Sequence, residues 1–261
     1  MNAHVKLEER GDVLVVTLDR PERKNALNSK MWEELCDAIA FFEEHDRLKV
    51  AVFTNTGDVF CAGSDLQELD EGTYHAPAGR EEWGFGGMTR HYCPKPIIAA
   101  VNGKAVGGGA EMVMAADLSV MTSDGSISFP EVKHSLLATG GGALLRAGRS
   151  IPFKRAMELM LIGDPIDAQT AYDWNLVNRI AEPGKALDAA LELAGKIAQN
   201  GPIAIEWTKL LLNDCMDKSF MSQTDGWRMM LDFDKTIKAT EDAREGERAF
   251  VEHRAPEWKK R

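Results

Sequence analysis

Apolar positions follow two patterns along this chain. Short unbroken runs alternate with helical stripes in the N-terminal half, and helical stripes dominate the C-terminal half. Val13-Leu14-Val15-Val16-Thr17-Leu18 predicts a buried strand. Gly11-Asp12 before it reads as a hairpin turn, and Arg20-Pro21 ends it. Residues 49–54 predict a second strand with both faces buried. Further strands are expected over 95–101 and 118–122, with a short one over 126–129. Met31, Leu35, Ala38 and Phe42 recur at helical spacing, Ile39 fills the same face, and Asn28 or Ser29 caps that helix.

The second half predicts a helix from Ile151-Pro152 through Ile162, a short one over 168–173 and an extended segment over 176–180. An alanine- and leucine-rich helix follows over 186–199. Pro202 suits the first turn of the next, which runs through Leu212. Residues 216–240 read as a long helix with Met221, Trp227, Met230, Leu231 and Phe233 as packing points, and 241–252 as a terminal one. Strands separated by helical segments indicate mixed β/α layers rather than a sandwich. No internal repeat or long linker interrupts the 261 residues, a length that suits one large domain or a domain with a small appendage.

Composition narrows the function classes. Hydrophobic residues make up 44 %, enough for a sizeable core, and the formal net charge of -10 argues against indiscriminate binding to nucleic acid or anionic membrane. No apolar run approaches a membrane span, and no signal-like segment precedes Glu8 and Glu9. Cys36, Cys61, Cys93 and Cys215 are scattered and form no metal-like pair, so a reduced cytoplasmic setting without a metal site is expected.

Candidate chemistry concentrates in residues 106–142. Gly107-Gly108-Gly109-Ala110-Glu111 opens the stretch, Pro130-Glu131 follows, and Gly140-Gly141-Gly142 closes it. Glycines before a short apolar helix allow backbone to approach a ligand and leave N–H groups free to hold a negative oxygen. Two nearby carboxylates suit proton transfer. Tight turns and close helix contacts use glycine triplets too. The run lacks the lysine of a phosphate loop and the glycine spacing of a dinucleotide site. Phe60-Cys61-Ala62-Gly63-Ser64-Asp65-Leu66 places another glycine before a possible helix. Between Leu69 and Pro94, Trp83, Phe85, Met88 and Tyr92 stand among turns and charges, either as a surface loop or as a wall of an apolar pocket.

The order of these pieces resembles the enoyl-CoA hydratase/isomerase (crotonase) family through nearly the whole chain. Arg20-Pro21, Asn25-Ala26-Leu27, residues 60–66, Lys95-Pro96, Asn102-Gly103, residues 107–117 and Phe129-Pro130-Glu131 carry the resemblance, with support from 163–171 and Leu176-Val177. It implies an α/β, crotonase-like spiral core of strands and helices over 1–198, and a C-terminal helical trimerisation region over 199–261. It also implies an acyl-CoA substrate, no separate cofactor, and homotrimers or homohexamers; from the net charge, no nucleic-acid or membrane partner is expected. By the same match, the backbone N–H groups of Ser64 and Gly108 form an oxyanion hole, and Glu111 and Glu131 are the acid/base pair of a hydratase. Arg23 and Lys24, with the backbone at Ala62 and Asp65, fall at the CoA site. Trp83, Phe85, Met88 and Thr139 are acyl-pocket candidates.

Reversible hydration of a 2-enoyl-CoA to a 3-hydroxyacyl-CoA is the activity so implied. Double-bond isomerisation, dehydration of a functionalised acyl-CoA, and acyl-CoA binding without turnover are the alternatives. The interval after Glu131 departs from the familiar pattern: Ala138 stands in place of proline and Thr139 in place of glycine. His134 there reads as solvent-facing or locally bonded more readily than as a substrate contact. Lys259-Lys260-Arg261 either reach phosphates from a neighbouring subunit or form a ragged basic end.

Overall fold

The computed structural model describes residues 4–215 and 225–261. Strands β1 (Val5–Arg10) and β2 (Val13–Leu18) form the expected antiparallel hairpin, with Val5 opposite Leu18. Beyond Val5 the β1 residues are exposed and mostly charged, which protects a sheet edge. Helix α1 (Ser29–Glu44) follows. The Asn28 side chain caps it by accepting the Met31 amide at 2.9 Å, and Met31, Leu35, Ala38, Ile39 and Phe42 are buried as the stripe predicted.

The chain then repeats one unit: a strand of the large sheet, a short strand of a second sheet, a helix. β3 (Val50–Asn55) leads to β4 (Val59–Cys61) and α2 (Leu66–Asp70). β5 (Ile97–Val101) leads to β6 (Lys104–Val106) and α3 (Gly108–Ala115). β7 (Leu118–Thr122) leads to β8 (Ser126–Ser128), a 3-10 turn (Pro130–His134) and α4 (Ala143–Ser150). Helix α5 (Phe153–Ile162), strand β9 (Ile166–Asp167), helix α6 (Ala168–Asp173) and strand β10 (Arg179–Ala181) complete both sheets. The large sheet runs β1-β2-β3-β5-β7-β10, parallel from β2 onward. The second runs β4-β6-β8-β9. This is the spiral α/β core of the crotonase type. The extended segment expected over 176–180 forms its strand later, at Arg179–Ala181. Leu176 and Val177 are still turning out of α6, with their amides on the Ala171 carbonyl.

The period of two decides which way each strand residue packs. Val13, Val50, Val52, Ile98, Ala100 and Val120 face helix α7 (Ala186–Ala198), whose Ala186, Ala190, Ala194 and Ala198 lie flat on the sheet. Leu14, Val16, Ala51, Phe53, Ala99 and Val101 face the opposite core with α1 and α3. Buried Lys95 donates to the Phe42 and His45 carbonyls at 2.8 and 2.9 Å, so it satisfies the end of α1.

Helices α8 (Pro202–Cys215), α9 (Asp225–Lys238) and α10 (Glu241–Val251) follow α7. The first part of the long helix expected over 216–240, with Met221, lies outside the described residues. Trp207 of α8 meets Phe233 of α9 edge-on at 4.8 Å. The basic tail is not a ragged end. Trp258 donates to the Gln199 carbonyl at 2.8 Å, and Lys260 pairs with Asp46 and Glu206 at 2.8 and 3.0 Å. Lys259 and Arg261 lie beside Glu241 of the same chain, at 3.9 and 3.1 Å.

Candidate active site

The site forms where the starts of two helices are drawn together. Asn25 accepts the Arg20 amide and donates to the Thr56 and Val59 carbonyls, which fixes the turn after β2. Leu27 then bridges to Ser64: its amide donates to the Gly63 carbonyl at 2.7 Å and its carbonyl accepts from Asp65 at 2.9 Å. Gly63 lies against the first turn of α3, since a Cβ added to it would stand 3.4 Å from the Gly108 nitrogen. Gly107 enters that helix at φ +54, and a Cβ on Gly109 would collide with the Cys61 carbonyl, so the sequence needs glycine for this approach. The first N–H groups of α3 have no acceptor within their own helix. Ser64 and Gly108 are therefore brought together by their neighbours.

Glu111 projects from the first turn of α3 and is 2 % exposed. Its carboxylate accepts the Gly141 amide at 2.6 Å and the Ala143 amide at 3.1 Å, one on each oxygen. A carboxylate offers about four acceptor positions, so each oxygen keeps one for another partner. Glu131 sits in the 3-10 turn after β8. A Cβ on Gly107 would stand 3.0 Å from its Oε1, and its Oε2 is buried without a hydrogen-bond partner. Burial holds the Glu131 pKa above the usual carboxylate value. The Glu111 charge pushes the same way, whereas a backbone hydrogen bond and His134 pull it down. His134 itself is exposed.

The other expected residues are placed less uniformly. The Phe85 ring rests on Gly108, where an added Cβ would meet it at 2.6 Å. Met88 is buried in the core beneath this segment, and Trp83 stacks on His91 at 3.8 Å. Thr139 is exposed and lines a cleft of about 1050 Å³ between α3, α4 and α8, together with Leu145 and Arg146. The Ala62 amide donates to the Lys24 carbonyl at 3.1 Å, so Lys24 stays near the loop. Arg23 reaches Gln67 at 3.1 Å. The Asp65 side chain is committed to structure: it caps α2 through the Gln67 amide at 3.0 Å and pairs with Arg20 at 2.6 Å.

Gly141 and Ala143, which hold Glu111, were not singled out for that role from sequence. The second glycine triplet marked their neighbourhood, but Ala143 opens α4, a helix the apolar pattern did not predict. A Cβ at Gly141 would approach the Glu111 Cβ to 2.5 Å, which explains a glycine there. Arg146 also escaped notice. It ties this turn to the aromatic segment by donating to the Gly141 and Thr89 carbonyls at 2.8 and 2.7 Å. Among the described residues no cluster of His, Cys, Asp and Glu could hold a metal ion, and no helix is long and apolar enough to cross a membrane.

The family profile described as enoyl-CoA hydratase/isomerase matches residues 8–261. An enoyl-CoA hydratase from Mycobacterium tuberculosis H37Rv superposes with a TM-score of 0.92 at 39 % identity, covering 100 % of both chains. A carnitinyl-CoA dehydratase from Proteus mirabilis is 35 % identical over 100 % of both chains. A mevalonyl-coenzyme A hydratase from Beauveria bassiana is 37 % identical over 95 % of this chain and 91 % of its own. The chain belongs to the enoyl-CoA hydratase/isomerase family. It is an enzyme of that class, with hydro-lyase chemistry on an enoyl-CoA-type thioester.

Proposed function

We propose that the chain catalyses reversible hydration of a 2-enoyl-CoA to a 3-hydroxyacyl-CoA. The pairing of Glu111 and Glu131 beside the first turn of α3 carries this reading. The thioester oxygen sits at the Ser64 and Gly108 N–H groups. Water attacks the β-carbon, Glu111 takes its proton, and a C–O bond forms as the double-bond electrons move toward the thioester. Negative charge gathers on the oxygen between the two N–H groups, each such donor lowering the barrier by about 3 kcal/mol by analogy with a protease oxyanion hole. Glu131 then supplies the α-carbon proton. Its unpartnered buried oxygen and raised pKa support the donor role. Arg23 and Lys24, with the backbone at Ala62 and Asp65, are assigned to the CoA body. Phe85, Trp83, Met88 and Thr139 are assigned to the acyl side.

The active form is taken to be a homotrimer or a pair of trimers. Leu136, Leu137, Leu145, Phe153 and Leu161 expose apolar surface along one run of chain, which a neighbouring subunit can cover. Residues 199–261 are assigned to that assembly. The four free cysteines support a cytoplasmic setting.

The deciding experiment incubates the purified protein with 2-enoyl- and 3-enoyl-CoAs in heavy-oxygen water. Label is expected at the 3-position of the product. Turnover without label across the panel would transfer the reading to double-bond isomerisation.

A further inference from the structure

Tyr74 lies in the turn-rich stretch after α2, and the chemistry above makes no use of it. Its amide donates to the Glu68 carbonyl at 3.1 Å, which ties it to α2. Its ring packs on Trp32 of α1 at 5.6 Å between centroids, and Trp32 packs on Phe85 at 5.9 Å. Trp32 is itself pinned by its indole N–H, which donates to the Gly84 carbonyl at 2.9 Å. Since Phe85 rests on Gly108, the three rings form one continuous wall that reaches the start of α3.

The polar end of Tyr74 is unlike the rest of that wall. Its hydroxyl oxygen is buried and has no hydrogen-bond partner. The Ser64 hydroxyl lies beside it. Phenylalanine would fill the same volume without burying an unsatisfied group, so tyrosine here suits a ligand that brings the missing partner. Of the acidic groups nearby, Asp65 is neutralised by Arg20 at 2.6 Å, and Glu68 keeps its charge, which disfavours an anionic ligand group. The geometry points to a specificity notch: the Tyr74 and Ser64 hydroxyls receive a neutral oxygen, a hydroxyl or keto group, carried on the acyl chain beside the thioester. This inference rests on the acyl-CoA reading above and adds the class of acyl group.

The test compares 2-pentenoyl-CoA with its 4-hydroxy and 5-hydroxy counterparts in turnover. The saturated pentanoyl-CoA and its 4- and 5-hydroxy forms are compared by calorimetry. The wild type is expected to favour at least one hydroxylated member by about tenfold in kcat/KM and in affinity, the size of one net neutral hydrogen bond. Tyr74→Phe is expected to erase that ratio. Ser64→Ala, which keeps the backbone N–H, is the second variant and should lower the same ratio. Equal preference in the wild type, or a preference that survives both substitutions, overturns the notch. So does a Tyr74→Phe loss that falls equally on plain and hydroxylated ligands, since that is the signature of a structural tyrosine. If the wild type binds these thioesters without hydrating any, the proposed reaction fails while the calorimetric ratio still decides this inference.

Discussion

Glu111 and Glu131 lie close enough for one charge to act on the other, yet they are held in opposite ways. Glu111 grows from a regular helix, is almost fully buried and has a backbone N–H on each oxygen. Glu131 hangs from a short 3-10 turn that is capped by Ser135 in the left-handed region, and residues 133–137 are exposed. One of its oxygens is buried without a partner. Fixed donors orient a carboxylate and leave chosen lone pairs for water. Burial without donors favours the protonated acid. The two glutamates differ less in residue type than in what the backbone does around them, and under the proposed mechanism the difference suits one to water and the other to carbon.

The strongest test removes each carboxylate in turn. Glu111→Gln and Glu131→Gln are each expected to lower kcat by about 10²–10⁴-fold, the span of general acid–base loss. Thioester affinity should change far less, because the backbone contacts remain. The comparison predicts more than two equal defects. Glu131→Gln should be the poorer catalyst of α-proton exchange in a saturated acyl-CoA, measured by deuterium uptake, whereas Glu111→Gln should mainly lose water addition. Near-normal turnover in folded Glu111→Gln would refute the proposed base and leave a one-carboxylate isomerase centred on Glu131.

A smaller loss is expected from Gly141→Ala, which touches the support rather than the acid. The new Cβ would approach the Glu111 Cβ to 2.5 Å, so the glutamate or the turn must move. Misplacement of a catalytic group by about 1 Å costs on the order of 100-fold. The fall should appear in kcat for water addition, with α-proton exchange at Glu131 largely kept. Equal loss of both reactions would mean that the two supports are one rigid unit and that the contrast between them is false.

The sequence made these acids visible and hid their supports, for a physical reason. Glu111 and Glu131 stand beside glycine and proline signals that local reading detects. The amides of Gly141 and Ala143 have no side-chain signature and act across thirty residues. Helix α4 was missed because Leu144 and Leu145 point outward and no apolar stripe marks its buried side, which rests on Ala143 and Ala147. Strands β4, β6 and β9 are too short for alternation to register. The long elements were plain. β2, β3 and β5 are apolar on both faces, and α1 carries a full stripe and a cap. The aromatic segment could be read as wall or loop, and only the fold shows Phe85 against Gly108.

The pH dependence separates the two acids more finely. Glu131 has a folded-state pKa above 4.5. In the proposed mechanism hydration uses its protonated form, so kcat in that direction should fall as pH rises through the raised value. Dehydration returns through the same singly protonated pair, with the proton on Glu111 and Glu131 ionised, so its rate should fall over the same range. Glu131→Gln should remove this limb from the residual rate in both directions. The stability sign is the same as for hydration: the folded state holds the proton more tightly. The associated stabilisation is therefore full below 4.5 and is lost as pH rises through the folded pKa. Thermal melts of wild type and Glu131→Gln across that window check it. A hydration limb that moves the other way would make Glu131 the base.

The smallest effect sharpens the contrast at its exposed edge. His134 ends the same 3-10 turn and, when charged, draws the Glu131 pKa down against the effect of burial. His134→Ala should therefore move the hydration limb to higher pH, and the dehydration limb with it, while the maximal rates stay nearly unchanged. The shift requires a charged imidazole, so added salt should reduce the difference between wild type and variant. Steady-state pH profiles of hydration at two ionic strengths make the measurement. A limb that moves down on loss of His134, or does not move at low salt, would show that burial and the Glu111 charge alone tune Glu131.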